Sequence, residues 1–344
     1  MEILLCITAD DLGYSTERDL GIIESSISKG GLVCRASLLV NGATALSGYK
    51  LARENDLPVG LHLNISEGSP CSPLSQVSSL VNEFGYFHGK GKIWGDDFEK
   101  LLIDLDEVKI ETEAQISRFL EISNGYLPNH WDGHQHVHVK GEIGEAIMSV
   151  FSKHMLFRTR LPYYFSSTVK NDVTNSLLLP LTTDGMVDKT REIFYKRISN
   201  ETLSLKRSLD SCDLDSCFNL FDASKMFMGY STMGKDCTEE RIYSALRECI
   251  RLLKMKPIVV NSNEKGVGAS LDLIDIEWMT HPGYKTLHFE QEDDEKYLSS
   301  GCGQGADDFS KSEEREIELN HLRQGPLSEK IKAFFRSNNI VLCA

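Results

Sequence analysis

No stretch of this 344-residue chain approaches the roughly 20 consecutive apolar residues of a membrane-spanning helix. The apolar run Met1–Ala9 is too short for a secretory leader, and Asp10 and Asp11 follow it at once. No Cys-X-X-Cys pair occurs among the nine scattered cysteines, so reduced, mostly buried thiols in a reducing, cytoplasmic compartment are expected. No Lys/Arg stripe relieves a formal net charge of −14, which argues against nucleic acid and against anionic membrane surfaces as partners. A neutral ligand such as a sugar remains compatible with that charge. No internal repeat, low-complexity segment or composition break marks a domain boundary. Residues 1–344 are therefore expected to form a single domain, long but within the range of α/β barrels.

What is present alternates. Ile3–Thr8, Leu32–Val40 and Pro58–Leu63 read as buried strands. Asp19–Lys29 and Thr44–Asn55 between them read as helices, the first stopped by Gly30-Gly31. Strand and helix at this spacing are the signature of a parallel sheet. Ser69–Trp94 reads as a loop, either a lid or a plain surface insertion. Asp96–Asn124 is expected to form one long helix or two. Further strands are expected at Asn129–Val139, Met155–Leu161, Cys217–Phe221, Leu271–Met279 and Ile340–Cys343, and helices across Asp172–Asp210, Glu239–Lys254 and Ser328–Ser337. Polar residues stand at successive strand ends: Asp10 and Asp11, Asn41, then His62 and Asn64. Barrels build their active sites at that face.

Four of the ten histidines fall within His130-Trp131-Asp132-Gly133-His134-Gln135-His136-Val137-His138. On a strand, Asp132, His134, His136 and His138 would share one face. Imidazole is the commonest neutral ligand for transition-type divalent metals; a surface hairpin is the plainer alternative. Only one or two of these rings can reach a single ion, which leaves the others for substrate or for supporting a ligand. Adjacent Asp10 and Asp11 would point apart on a straight strand. At a bent strand tip one can ligate an ion while its neighbour takes a proton from water, although a turn beginning with Asp explains the pair equally well. His62, in Gly60-Leu61-His62-Leu63-Asn64, is a core histidine or a ligand. His281 stands at a strand tip before Pro282-Gly283, either catalytic or capping the loop.

Taken in order, these segments resemble the YdjC-like family of carbohydrate deacetylases. The resemblance runs from Thr8-Ala9-Asp10-Asp11-Leu12-Gly13-Tyr14 through Gly21-Ile22-Ile23-Glu24, Ser37–Gly42, Gly60–Asn64 with Ser66-Glu67-Gly68, and Asp132–His138, to His281-Pro282-Gly283-Tyr284 and Gly301-Cys302-Gly303. It implies an α/β fold, a distorted TIM-like (βα) barrel of the glycoside hydrolase/deacetylase type. It also implies one divalent metal, Mg2+ or alternatively Zn2+, on Asp11, His62 and His134. Asp10 would be the general base and His281 the proton donor or oxyanion partner; Arg160 and His136 would bind substrate. The substrate would be an N-acetylated sugar or oligosaccharide, and a homodimer is compatible. Tyr86, Phe87, Trp94 and Tyr284 could stack on a sugar ring, although core packing is the commoner role. Leu12 stands where the family often has Phe, and Lys256–Ala269 is longer than usual, which touches substrate range most. A metal phosphodiesterase and a catalytically idle binding homologue are the rival readings.

Overall fold

The computed structural model describes residues 2–162, 195–202, 204–205, 224, 226–255, 274–285 and 313–343. Its first strand, β1 (Ile3–Leu12), is buried at every position but Leu4, as a continuous apolar run predicts for the middle of a parallel sheet. The elements that follow are α1 (Thr16–Glu24), β2 (Arg35–Leu38), α2 (Ala45–Glu54), β3 (Val59–Leu63), α3 (Leu105–Ile122), β4 (Trp131–Gly133) and α4 (Gly141–Lys153). Then come β5 (Met226–Met228), α5 (Glu239–Met255), β6 (Ile276–Thr280), α6 (Glu314–Leu322), α7 (Pro326–Ser337) and β7 (Ile340–Leu342). The strands lie in the order β4-β3-β2-β1-β6-β5, with β7 pairing the start of β1, and every pairing is parallel. The sheet curls into a half-barrel, the distorted α/β barrel expected from the sequence.

Helix α1 starts earlier than Asp19 because Ser15 caps it, its hydroxyl accepting from the Arg18 N–H, and it ends at Glu24 ahead of a separate turn at Ile27–Lys29. The fourth strand is much shorter than Asn129–Val139. It stops at Gly133, and Gln135 (φ 51°) and His136 (φ 60°) take left-handed backbone, so the chain turns away and the four residues do not share a strand face. Met155–Leu161 contributes one bridge, Thr159 beside Trp131, and no extended strand. Asp96–Asn124 divides into a short 3-10 turn at Phe98–Leu101 and the long helix α3, capped by Asp104. Neither α4 nor α6 is anticipated by the sequence reading. Trp131 stacks on Phe151 of α4 at 3.9 Å, a burial worth about 1.5–3 kcal/mol that ties α4 to the back of β4. The expected strand Cys217–Phe221, the Lys256–Ala269 stretch, Gly301-Cys302-Gly303 and most of Asp172–Asp210 lie outside the described residues. Among the described residues no helix is long and apolar enough to cross a membrane.

Two glycines set distances that the site needs. A Cβ on Gly21 would come within 2.5 Å of the Gly283 Cα, so α1 and the loop carrying His281 can meet only because both positions lack side chains. A Cβ on Gly60 would strike the His130 ring at 2.4 Å, where β3 passes β4.

Candidate active site

The C-terminal tips of β1, β3, β4 and β6 converge on one cavity of about 290 Å³. Strand β1 reaches it through an irregularity: its register against β2 shifts between Ala9 and Leu12, and Asp11 has φ 68°. That bulge turns both Asp10 and Asp11 into the cavity, as the bent-tip reading requires. A non-glycine residue held left-handed costs of order 1–3 kcal/mol, and such strain collects at functional positions.

Three ligand-type atoms meet there. His62 Nε2 lies 3.4 Å from Asp11 Oδ1, His134 Nδ1 lies 3.0 Å from the same oxygen, and the two ring nitrogens are 3.4 Å apart. All three residues are buried. Each ring is held from behind by a carboxylate: His62 Nδ1 is 2.6 Å from Asp132 Oδ1, and His134 Nε2 is 3.1 Å from Glu67 Oε2. With an N–H donated to each of those carboxylates, the remaining lone pairs of both rings face Asp11. Buried Asp11 Oδ1 makes no hydrogen bond of good geometry. One carboxylate oxygen and two imidazole lone pairs aimed at one point suit a divalent cation.

The electrostatics of the cluster agree. Burial alone would lower the His62 pKa, but the carboxylates of Asp132 and Asp10 raise it to about 9. Burial is likewise outweighed at His134, where Asp11 and Glu67 raise the pKa to about 10. Asp11 is held well below the usual carboxylate range despite its burial, mainly by His134. The carboxylates that favour positive charge on these rings would equally favour a cation between them, and its binding would release protons.

Asp10 lies beside this cluster, with Oδ2 4.0 Å from His62 Nε2. Burial pushes its carboxyl up to about 6, against the pull of Arg160. Arg160 grips both oxygens, Nη1 to Oδ2 at 2.7 Å and Nη2 to Oδ1 at 2.8 Å. The same guanidinium bonds Asp132 at 2.9 Å and Glu277 at 2.9 Å, and it is fully buried. Arg160, expected to bind substrate, is not among the residues that line the cavity; its guanidinium faces three carboxylates inside the barrel. Arg35 and Thr8 complete this polar interior through Glu277, at 3.2 and 3.0 Å.

His281 does line the cavity, with Nε2 3.9 Å from Asp10 Oδ2. Its backbone N–H donates to Glu318 of α6 at 2.6 Å, and burial holds its ring well below the ordinary imidazole range. His136 lines the cavity too, backed by Phe227 and Tyr230. His138 points elsewhere, its Nε2 2.9 Å from the Arg160 carbonyl. None of Tyr86, Phe87, Trp94 and Tyr284 lines the cavity; Tyr14 and Tyr195 do. Phe87 is core, the Trp94 indole donates to the Gln135 carbonyl, and the Tyr284 hydroxyl is bound to Glu24. The sequence reading missed the roles of Glu67, Asp132 and Glu277. A charged Glu277 in the otherwise apolar Ile276–Thr280 was the available signal for the last of these.

A curled parallel sheet whose strand tips carry a buried carboxylate–imidazole cluster beside a further carboxylate defines an α/β-barrel protein with an enzyme-type cavity. The chain belongs to the YdjC-like family: the family model described as YdjC-like protein matches residues 4–333. It is 35% identical to a carbohydrate deacetylase of Xenopus laevis, over 99% of this chain and 97% of that protein. It is 32% identical to a carbohydrate deacetylase of Homo sapiens, over 99% of this chain and 89% of that protein. A chitooligosaccharide deacetylase of Serratia marcescens is 37% identical over a shorter match, 42% of this chain and 53% of that protein. A solved structure from Enterococcus faecalis, provisionally described as a cellobiose-phosphate cleavage protein, shares the fold with a TM-score of 0.61 and 22% identity, covering 100% of this chain and 97% of that one.

Proposed function

We propose that the protein is a metal-dependent hydrolase that removes acetyl groups from N-acetylated sugars or oligosaccharides. The carrying observation is the convergence of Asp11 Oδ1, His62 Nε2 and His134 Nδ1 next to Asp10. Relatives matched over nearly the whole chain and named carbohydrate deacetylases support the same reading. Asp11, His62 and His134 hold the ion, Mg2+ or Zn2+. When bound it supplies a Lewis acid for the acetamide carbonyl and lowers the pKa of water.

Asp10 takes the proton of the attacking water. A carboxyl near 6 is largely ionised at neutral pH yet basic enough to accept it, and Arg160 keeps both oxygens in place. As the C–N bond breaks, the amine needs a proton. His281 is neutral at rest, so it delivers that proton only after receiving one from Asp10, its neighbour at 3.9 Å. His136, Tyr14 and Tyr195 contact the sugar. The phosphodiesterase reading is the weaker one: Arg160 is occupied by carboxylates, and of the two cations at the cavity among the described residues, Arg18 and Lys90, Arg18 faces Asp11 at 3.5 Å and the His281 carbonyl at 3.4 Å. A cytoplasmic location remains the expectation from cysteine usage.

Purified protein is expected to release acetate from N-acetylated chito-oligosaccharides, to stop when dialysed against EDTA, and to recover on addition of Mg2+ or Zn2+. Chelator-resistant release would remove the metal from the mechanism, and no release from any member of an N-acetyl sugar panel would remove the deacetylase reading. His281 has its own test. His281→Ala is expected to cost much more with an acetamido sugar than with an activated aryl acetate ester, whose leaving group needs no proton. Equal losses on both substrates would assign His281 to oxyanion binding or to structure.

A further inference from the structure

Glu67 stands at the cavity wall on a turn whose backbone is held in place. Asn64 closes a turn after β3, its Oδ1 accepting from the backbone N–H of Ser66 at 2.9 Å and of Glu67 at 3.0 Å, while its Nδ2 donates to the Glu67 carbonyl at 2.8 Å. Asn64 is itself locked to α3, where Gln115 donates to its carbonyl at 2.6 Å and accepts from its N–H at 3.0 Å. From this base the Glu67 carboxylate spans two neighbours. Oε2 meets His134 Nε2 at 3.1 Å, and Oε1 accepts from the Gln135 side-chain amide. Glu67 is not part of the group whose ligand atoms converge, which is Asp11, His62 and His134.

The His134 segment needs such a hold. Gln135 and His136 are both left-handed, so the backbone directly after the ligand is strained. His62, the other ring, has its Nδ1 fixed by Asp132, which is in turn fixed by Arg160 and by Ser37 at 2.9 Å. His134 has only Glu67 on the far side of its ring among the hydrogen bonds and ion pairs described.

We infer that Glu67 is the positioning residue of the metal centre. By accepting the Nε2 proton of His134 it selects the tautomer whose Nδ1 lone pair faces Asp11, and through Gln135 it holds the strained turn that carries that ring. This rests on the metal-site reading above. The conservative variant has a specific consequence. Buried Gln135 Oε1 has no hydrogen-bond partner, so in Glu67→Gln the Gln135 amide can flip and accept from the new NH2 while the new carbonyl still accepts from His134. In Glu67→Leu no acceptor remains.

The test is Zn2+ affinity measured by calorimetric titration of the chelator-stripped full chain, alongside Tm, kcat and KM at saturating metal. Loss of a partner that orients a metal-bound histidine typically costs 10–100-fold in affinity. Glu67→Leu is expected to bind Zn2+ about 10–100-fold more weakly, and Glu67→Gln to recover most of that loss. Both should keep KM, and kcat should largely return once the site is saturated. Unchanged Zn2+ affinity in Glu67→Leu would overturn the inference. So would a kcat loss that persists at saturating metal with normal affinity, which would make Glu67 a catalytic residue, or a fall in Tm alone, which would make it structural. If the wild-type chain itself binds no Zn2+, it is the metal-site reading that fails.

Discussion

Asp11→Asn is expected to abolish detectable acetate release at ordinary metal concentrations and to weaken ion affinity by more than the roughly 10²-fold that loss of an orienting partner can cost. Asp11 supplies the only carboxylate oxygen in the cluster of three. It also lies where His134 and His62 press closest, at 3.0 and 3.4 Å. An amide keeps the shape but loses the charge that balances the cation. Metal analysis after dialysis checks this directly, with wild type retaining about one ion per chain and the variant close to none. Full retention by the variant would move the ion to the neighbouring Asp10–His62–Asp132 group. That group is a poorer candidate, because the Arg160 guanidinium already sits against both of its carboxylates at 2.7–2.9 Å.

Asp10→Asn is the complementary case. Metal content should stay at the wild-type level, while kcat should fall by about 10²–10⁴-fold, the usual contribution of a positioned proton acceptor. The variant also places an amide N–H against one arm of Arg160, so its Tm should drop. Asp132 and Glu277 still hold the guanidinium, so the fold should persist, which circular dichroism can verify. Loss of metal together with activity would exchange the roles of Asp10 and Asp11. Neither variant changes the cavity wall at Tyr14, Tyr195 and His136, so both should still protect against thermal unfolding when a sugar ligand is added, to the extent wild type does.

The parallel α/β pattern was legible because the segments around β1, β2 and β3 are largely apolar and separated by helical periods, whereas Asp11, His62 and His134, each in a different segment, were singled out together only through the family resemblance. The rest depended on information that local pattern does not carry. The His130–His138 segment looks like a strand by alternation, yet it bends at Gln135 and His136, where no glycine announces left-handed backbone. The carboxylates around Arg160 could not be read locally, because Asp10, Asp132 and Glu277 are brought to it from positions 10, 132 and 277. Glu67 was visible as part of a motif, but its partner His134 lies 67 residues on. For the aromatic residues the commoner role expected of them holds where it can be seen: Trp94 and Tyr284 are engaged away from the cavity by long-range hydrogen bonds, while Tyr14 and Tyr195 line it.

Anomalous X-ray diffraction from crystals of the Zn2+-loaded protein, collected at the zinc edge, measures directly where the proposed ion binds. The expected result is one strong peak about 2.0–2.2 Å from Asp11 Oδ1, His62 Nε2 and His134 Nδ1, with Asp10 adjacent and unligated. A peak on His136 and His138, or on Asp10 and Asp132 with Arg160 displaced, would contradict it.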